Sequence, residues 1–168
     1  MSKYKKNMEF KMENMPRDLS SRKMVGVIGG ARADSRITAI ARRLGKRIAE
    51  EGYVLVCGGL GGVMLAACRG ARKAGGTTVG ILPGSSRESA NRYVTIPIVT
   101  SMSHARNAII ARTADILVAV GGRYGTLSEI AHAKAIGKRV IGIHTWEEVP
   151  GVESVESADE AISLIIEF

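Results

Sequence analysis

One unit recurs along this chain and narrows what it can become: a short apolar run, a glycine or proline stop, then a helical pattern. Residues 24–28 form the first run, closed by Gly29-Gly30. Ile37, Ile40, Ala41, Leu44 and Ile48 then mark one face of a helix, with Asp34 or Ser35 as its cap. The run 53–57 ends in Gly58-Gly59-Leu60-Gly61-Gly62, and a helix over 63–74 stops at Gly75-Gly76. A third run, 77–82, meets Pro83-Gly84. Pro97 marks 94–98 as a short or edge strand, and 101–113 reads as helical. Runs 116–120 and 139–144 flank a helix over 126–136 that Gly137 ends. A last helix, 158–166, opens with the capping box Ser157-x-x-Glu160. Most runs are apolar on both faces, as strands of a parallel sheet covered on both sides must be. The pattern predicts an α/β, Rossmann-like, doubly wound, mostly parallel sheet with helices on both faces.

In such sheets ligands lie at the carboxyl ends of the strands, near the switch in strand order. The glycine-rich stops at 29–30, 58–62, 83–84 and 121–125 all fall at strand carboxyl ends, so they should gather on one edge. The stretch 115–130, DILVAVGGRYGTLSEI, is the most informative. Gly121, Gly122 and Gly125 let the chain turn sharply with its amides uncovered, at the positive end of the following helix. That is a seat for a phosphate or similar anion. Thr126 is a helix N-cap candidate, and Thr126-x-x-Glu129 reads two ways. It is a capping box, or Glu129 is a carboxylate aimed across the seat. Arg106, early in the preceding helix, offers a planar fork suited to phosphate.

Length and charge set the outer limits. A chain of 168 residues can bury one full core, so a single domain is expected over 23–168, after a flexible basic tail or leader over 1–22. Residues 25–144 carry seventeen Lys or Arg against six Asp or Glu, whereas 145–168 carry seven acids and no Lys or Arg. The basic middle favours anionic partners, although most of these side chains read as solvated helix faces. Cys57 and Cys68 show no metal-ligand spacing and no disulfide framework, and no apolar run is long enough to span a bilayer. A cytoplasmic protein with no membrane partner is expected.

Several chemistries are excluded. Met64 stands where a dinucleotide fingerprint needs its third glycine, and no acid ends the next strand to hold a ribose. No Gly-Lys-Ser/Thr run occurs, so a Walker-type ATPase is excluded. His104, His132 and His144 lack ligand spacing, so no metal is assigned. Cys57 has no neighbouring base and reads as a small buried residue rather than a nucleophile.

Taken together, Arg106-Asn107, Gly121-Gly122-Arg123-Tyr124-Gly125-Thr126 and Glu129 resemble the signature of the lysine-decarboxylase-like, or Lonely Guy (SLOG), superfamily. Its pattern is Pro-Gly-Gly-x-Gly-Thr-x-x-Glu with an arginine in the preceding helix. Gly58-Gly59 with Gly61-Gly62-Val63-Met64 is similar to the second glycine loop of these proteins. The resemblance covers most of the chain from about residue 23. It is nearest the uncharacterised and molybdenum-cofactor-carrier branch related to the DNA-processing protein A family. Two positions depart: Gly121 replaces the proline and Arg123 the second glycine, which either fills ligand space or adds a positive contact.

The converging turns add Gly29 and Gly30 to the ligand set that the resemblance implies, Gly58, Gly59, Gly61, Gly62, Arg106, Asn107 and 121–126 with Glu129. The resemblance also implies a homodimer or larger homo-oligomer. The first function expected is binding of a phosphorylated small molecule, a nucleoside 5′-monophosphate or a molybdopterin-type cofactor, with no cofactor required. The alternative is a phosphoribohydrolase cleaving the N-glycosidic bond of nucleoside 5′-monophosphates, with Arg106 and Glu129 as catalytic residues. Nothing marks a lysine for pyridoxal phosphate, so amino-acid decarboxylation is not implied. DNA binding is a third reading, disfavoured by two Phe, one Trp and four Tyr in the whole chain.

Overall fold

A computed structural model describes residues 21–168, so the tail expected over 1–22 lies outside the described residues apart from Ser21 and Arg22. In chain order the elements are β1 (Met24–Gly29), α1 (Ser35–Glu50), β2 (Val54–Cys57), α2 (Gly62–Lys73), β3 (Thr78–Leu82) and β4 (Ile96–Val99). They continue with α3 (Asn107–Thr113), β5 (Ile116–Val120), α4 (Tyr124–Ala135), β6 (Arg139–Ile143), β7 (Val152–Val155) and α5 (Ala158–Ile166). The strands form one sheet in the order β4-β3-β2-β1-β5-β6-β7, and every neighbouring pair is parallel. This is the expected doubly wound α/β sheet. Its strand order reverses between β1 and β5, where a crevice opens because the connections leave in opposite directions.

Strand side chains alternate between two cores. Leu55, Cys57, Val118 and Val120 pack with α1, α2 and α5 on one face. Val54, Val56, Leu117 and Ala119 pack with Ile110 and Ala111 of α3 and Ile130 and Ala133 of α4 on the other. All five residues of β5 are buried, as a central strand covered on both sides requires. The caps follow local chemistry. Asp34 Oδ1 accepts from the Ile37 N–H at 2.8 Å. Ser157 Oγ accepts from the Glu160 N–H and donates to the Glu160 carboxylate at 2.7 Å, and that carboxylate also accepts from the Glu156 N–H, a variant of the expected capping box shifted by one residue.

Three local readings are corrected. A seventh strand, β7, occupies a stretch read only as acidic tail. It pairs with β6 in the register Val140↔Val152, and the Arg139 guanidinium grips Glu153 through bonds of 2.6 and 2.7 Å. The helix expected over 101–113 begins as a 3₁₀ turn, Ser103–Arg106, and becomes α-helical only at Asn107. Finally, α4 starts earlier than expected, with Arg123 rather than Thr126 in the cap position. No helix among the described residues is long and apolar enough to cross a membrane.

Candidate functional site

At the strand-order switch lies a cavity of about 650 Å³. The turn after β1 (Gly29 to Asp34) and the turn after β5 (Gly121 to Arg123) form two of its walls. Ile37, Leu60, Val63 and Met64 make an apolar side, and His104, Arg106 and Asn107 come in from the turn before α3. Gly125, Thr126 and Glu129 of α4 complete it.

The turn after β5 works because Gly122 holds φ at +101°, a region that side chains rarely adopt. A Cβ there would sit 2.2 Å from Thr126 Oγ1, so the Thr126 side chain tucks beneath this glycine. The chain therefore turns into the helix at once. Arg123 is extended, its carbonyl accepts from the Leu127 N–H at 2.9 Å, and no side chain caps the helix. The N–H groups of Tyr124, Gly125 and Thr126 precede that first helical bond and find no carbonyl within the helix. The helix therefore opens with uncovered amides, and Thr126 lies inside its first turn rather than at the cap. Thr126-x-x-Glu129 is accordingly not a capping box: Glu129 lies one turn further in and faces the cavity.

Arg106 and Glu129 are the buried charged pair of the site, 7% and 6% exposed. Arg106 Nη1 stands 3.6 Å from Glu129 Oε1, an ion-pair distance rather than a hydrogen bond. The guanidinium is held from behind. Nη1 donates to Asn107 Oδ1, and Nη2 reaches the Gly58 carbonyl at 3.4 Å. Asn107 in turn donates to Ser128 Oγ at 2.9 Å, which ties the arginine to α4. Arg106 Nε is buried and has no hydrogen-bond partner among the described residues. Burial pushes the Glu129 carboxyl up from 4.5 to about 8, although Arg106 pulls the other way. Burial also lowers Arg106, against the pull of Glu129. Burial thus leaves Arg106 beside an acid that resists ionisation, so its charge is incompletely balanced.

The expected site residues separate into two groups. Gly29, Gly30, Arg106, Asn107, Gly121, Gly122, Arg123, Gly125, Thr126 and Glu129 all line the cavity. Gly58, Gly59, Gly61 and Gly62 do not. A Cβ on Gly58 would lie 2.5 Å from Arg106 Nη2, so this glycine makes room for the arginine behind the cavity. Tyr124 also points elsewhere: it is 80% exposed and lies against Trp146, whose indole N–H donates to the Arg123 carbonyl at 3.3 Å. Arg32 and His104, which no motif marks, join the lining. Cys57 and Cys68 are both buried with their sulfurs 3.4 Å apart, a proximity their spacing does not reveal. The contact with Cys68, then burial, raises the Cys57 thiol, which removes it as a nucleophile at neutral pH.

Comparison with known proteins places this geometry. Residues 22–166 match the SLOG cluster4 family. The chain belongs to that family. An uncharacterised protein of Archaeoglobus fulgidus is 45% identical over 142 residues, covering 84% of this chain and 93% of its own. The solved structure of the molybdenum cofactor binding protein from Rippkaea orientalis superposes with a TM-score of 0.83 at 35% identity, covering 87% of this chain and 96% of that one. A cytokinin riboside 5′-monophosphate phosphoribohydrolase from Mycobacterium tuberculosis is 31% identical, covering 71% of this chain and 69% of its own. Family membership thus agrees with the resemblance carried by Arg106, Gly122, Gly125, Thr126 and Glu129, and the fold is the one it implied.

Proposed function

We propose that this chain binds a phosphorylated small molecule, with the phosphate seated on the amides that open α4 and on Arg106. The observation that carries this reading is Arg106 itself. It is a buried cation with an unpartnered Nε, beside a helix start whose N–H groups are free. The apolar wall of Ile37, Leu60, Val63 and Met64 suits the body of a heterocycle, a purine or a pterin. Similarity to a molybdenum cofactor binding protein supports a molybdopterin-type ligand, whose phosphate terminus fits the same seat. Purifying the protein, denaturing it and identifying what it releases by mass spectrometry tests the proposal. A phosphorylated heterocycle held by wild type and absent from Arg106→Ala is the expected result. Recovery of nothing, with no saturable binding of nucleoside monophosphates or pterin phosphates, defeats it.

A second reading rests on Glu129, a carboxyl in the cavity that accepts no hydrogen bond from the described residues. As a carboxylate it could stabilise an oxocarbenium-like ribose during cleavage of a nucleoside 5′-monophosphate. Its raised pKa fixes the sign of the pH effect: turnover must increase as pH rises through about 8. Release of free base and ribose 5-phosphate with that profile, lost in Glu129→Ala, establishes the enzyme. Saturable binding without turnover at any pH leaves the carrier.

A further inference from the structure

Within the binding site just proposed, we infer a second anion-holding position at the cavity mouth, between Arg32 and Arg123, which makes the preferred ligand one that carries a pyrophosphate rather than a single phosphate. The inference rests on the first reading, and topology supplies its geometry. Gly29 of β1 and Val120 of β5 are paired across the sheet. Arg32 lies as many residues beyond Gly29 as Arg123 lies beyond Val120, so two adjacent parallel strands each deliver an arginine to the same rim. Both residues line the cavity and both are exposed. Neither guanidinium has a hydrogen bond or ion pair among the described residues.

Elsewhere on the molecule, several arginines pair with acids: Arg43 and Arg47 hold Asp159, and Arg139 holds Glu153. The cavity offers its rim arginines no such partner. Asp34 is committed to capping α1, and Glu129 is buried beside Arg106. A single phosphate on the α4 seat satisfies Arg106 and leaves the rim pair unmatched. A second phosphoryl group, linked to the first through one bridging oxygen, extends the anion from the floor toward the mouth, where two planar forks await it. Arg123 stands where the superfamily signature has a glycine, so this chain has added a donor at the very turn that forms the seat.

The test compares AMP, ADP and ADP-ribose, and GMP with GDP, by titration calorimetry on the full chain at low and at physiological ionic strength. ADP and GDP should bind about tenfold or more tightly than their monophosphates. If ADP-ribose shares the gain, the position accepts a bridging pyrophosphate; if only the nucleoside diphosphates gain, it accepts a terminal one. In R32A/R123A the ratio of diphosphate to monophosphate affinity should collapse to about one. K73A/R87A, which removes the same charge from exposed positions outside the cavity lining, should keep the ratio. Equal affinities in wild type, or a gain that survives R32A/R123A, overturns the second position while leaving the first seat intact. Failure of every nucleotide to bind wild type instead removes the phosphate-binding reading, and this inference with it.

Discussion

The turns after β2 and β5 look alike in composition but do opposite work. Each follows a buried parallel strand, each holds several glycines, and each opens a helix. After β2, the glycines let backbone meet backbone. The Val63 N–H donates to the Gly30 carbonyl at 3.0 Å, and a Cβ on Gly62 would lie 2.2 Å from that same oxygen. Gly58 leaves space for the Arg106 guanidinium. After β5, Gly122 and Gly125 are exposed and the amides face a cavity. Glycine density marks a close approach: backbone and the Arg106 guanidinium in the first case, only the Thr126 side chain beneath Gly122 in the second, with Gly125 left open.

That contrast can be broken at several points. The largest effect is expected from Gly62→Ala, where both the contact at 2.2 Å and a φ of +56° oppose a side chain. It should cost about 3 kcal/mol of stability, read by denaturant unfolding. A neutral result means the turn after β2 is not the packing joint described. Arg106→Ala should weaken nucleotide binding by about 100-fold while leaving the melting temperature little changed, since it removes a buried charge with incomplete pairing. A large loss of stability with intact binding would reverse its assignment from site to scaffold.

Glu129→Gln sharpens the electrostatic half of the contrast. The folded chain keeps a proton on Glu129 up to about 8, against an ordinary 4.5. Between those values the folded state binds more protons than the unfolded state, so the group's contribution to stability falls as pH rises through the window. Glu129→Gln should remove that slope and be the more stable protein above pH 8, read by denaturant unfolding across pH. Parallel pH profiles for the two proteins would show that the carboxyl is well solvated. The smallest effect belongs to Gly125→Ala. A Cβ there meets nothing within 4 Å at a helical position, so stability should rise by up to about 1 kcal/mol. Any change in phosphate affinity from this variant measures how closely a ligand approaches the seat.

Much of this arrangement was legible in residue order, for a local reason. Strand alternation, helix periodicity and caps such as Asp34 and Ser157 depend on neighbours three or four residues away. From them follow the parallel sheet, the shared edge of the glycine turns, and the candidacy of Arg106 and Glu129. Strand β7 was not legible, because two adjacent polar residues, Glu153 and Ser154, separate Val152 from Val155 and break the alternation, so it becomes a strand only through β6 and the Arg139–Glu153 pair. The capping role assigned to Thr126 failed because the left-handed turn at Gly122 starts the helix before it, with Thr126 packed beneath.

Sequence by itself therefore determined the layers of this protein and the edge on which its candidate site lies, since period and punctuation are written in adjacent residues. Only the tertiary structure decided which glycine turn stays open, that Arg106 lies against Gly58 and beside Glu129, and that Arg32 and Arg123 share a rim. Those facts depend on the register between β1, β2 and β5 and on burial, which set distances between residues far apart in the chain.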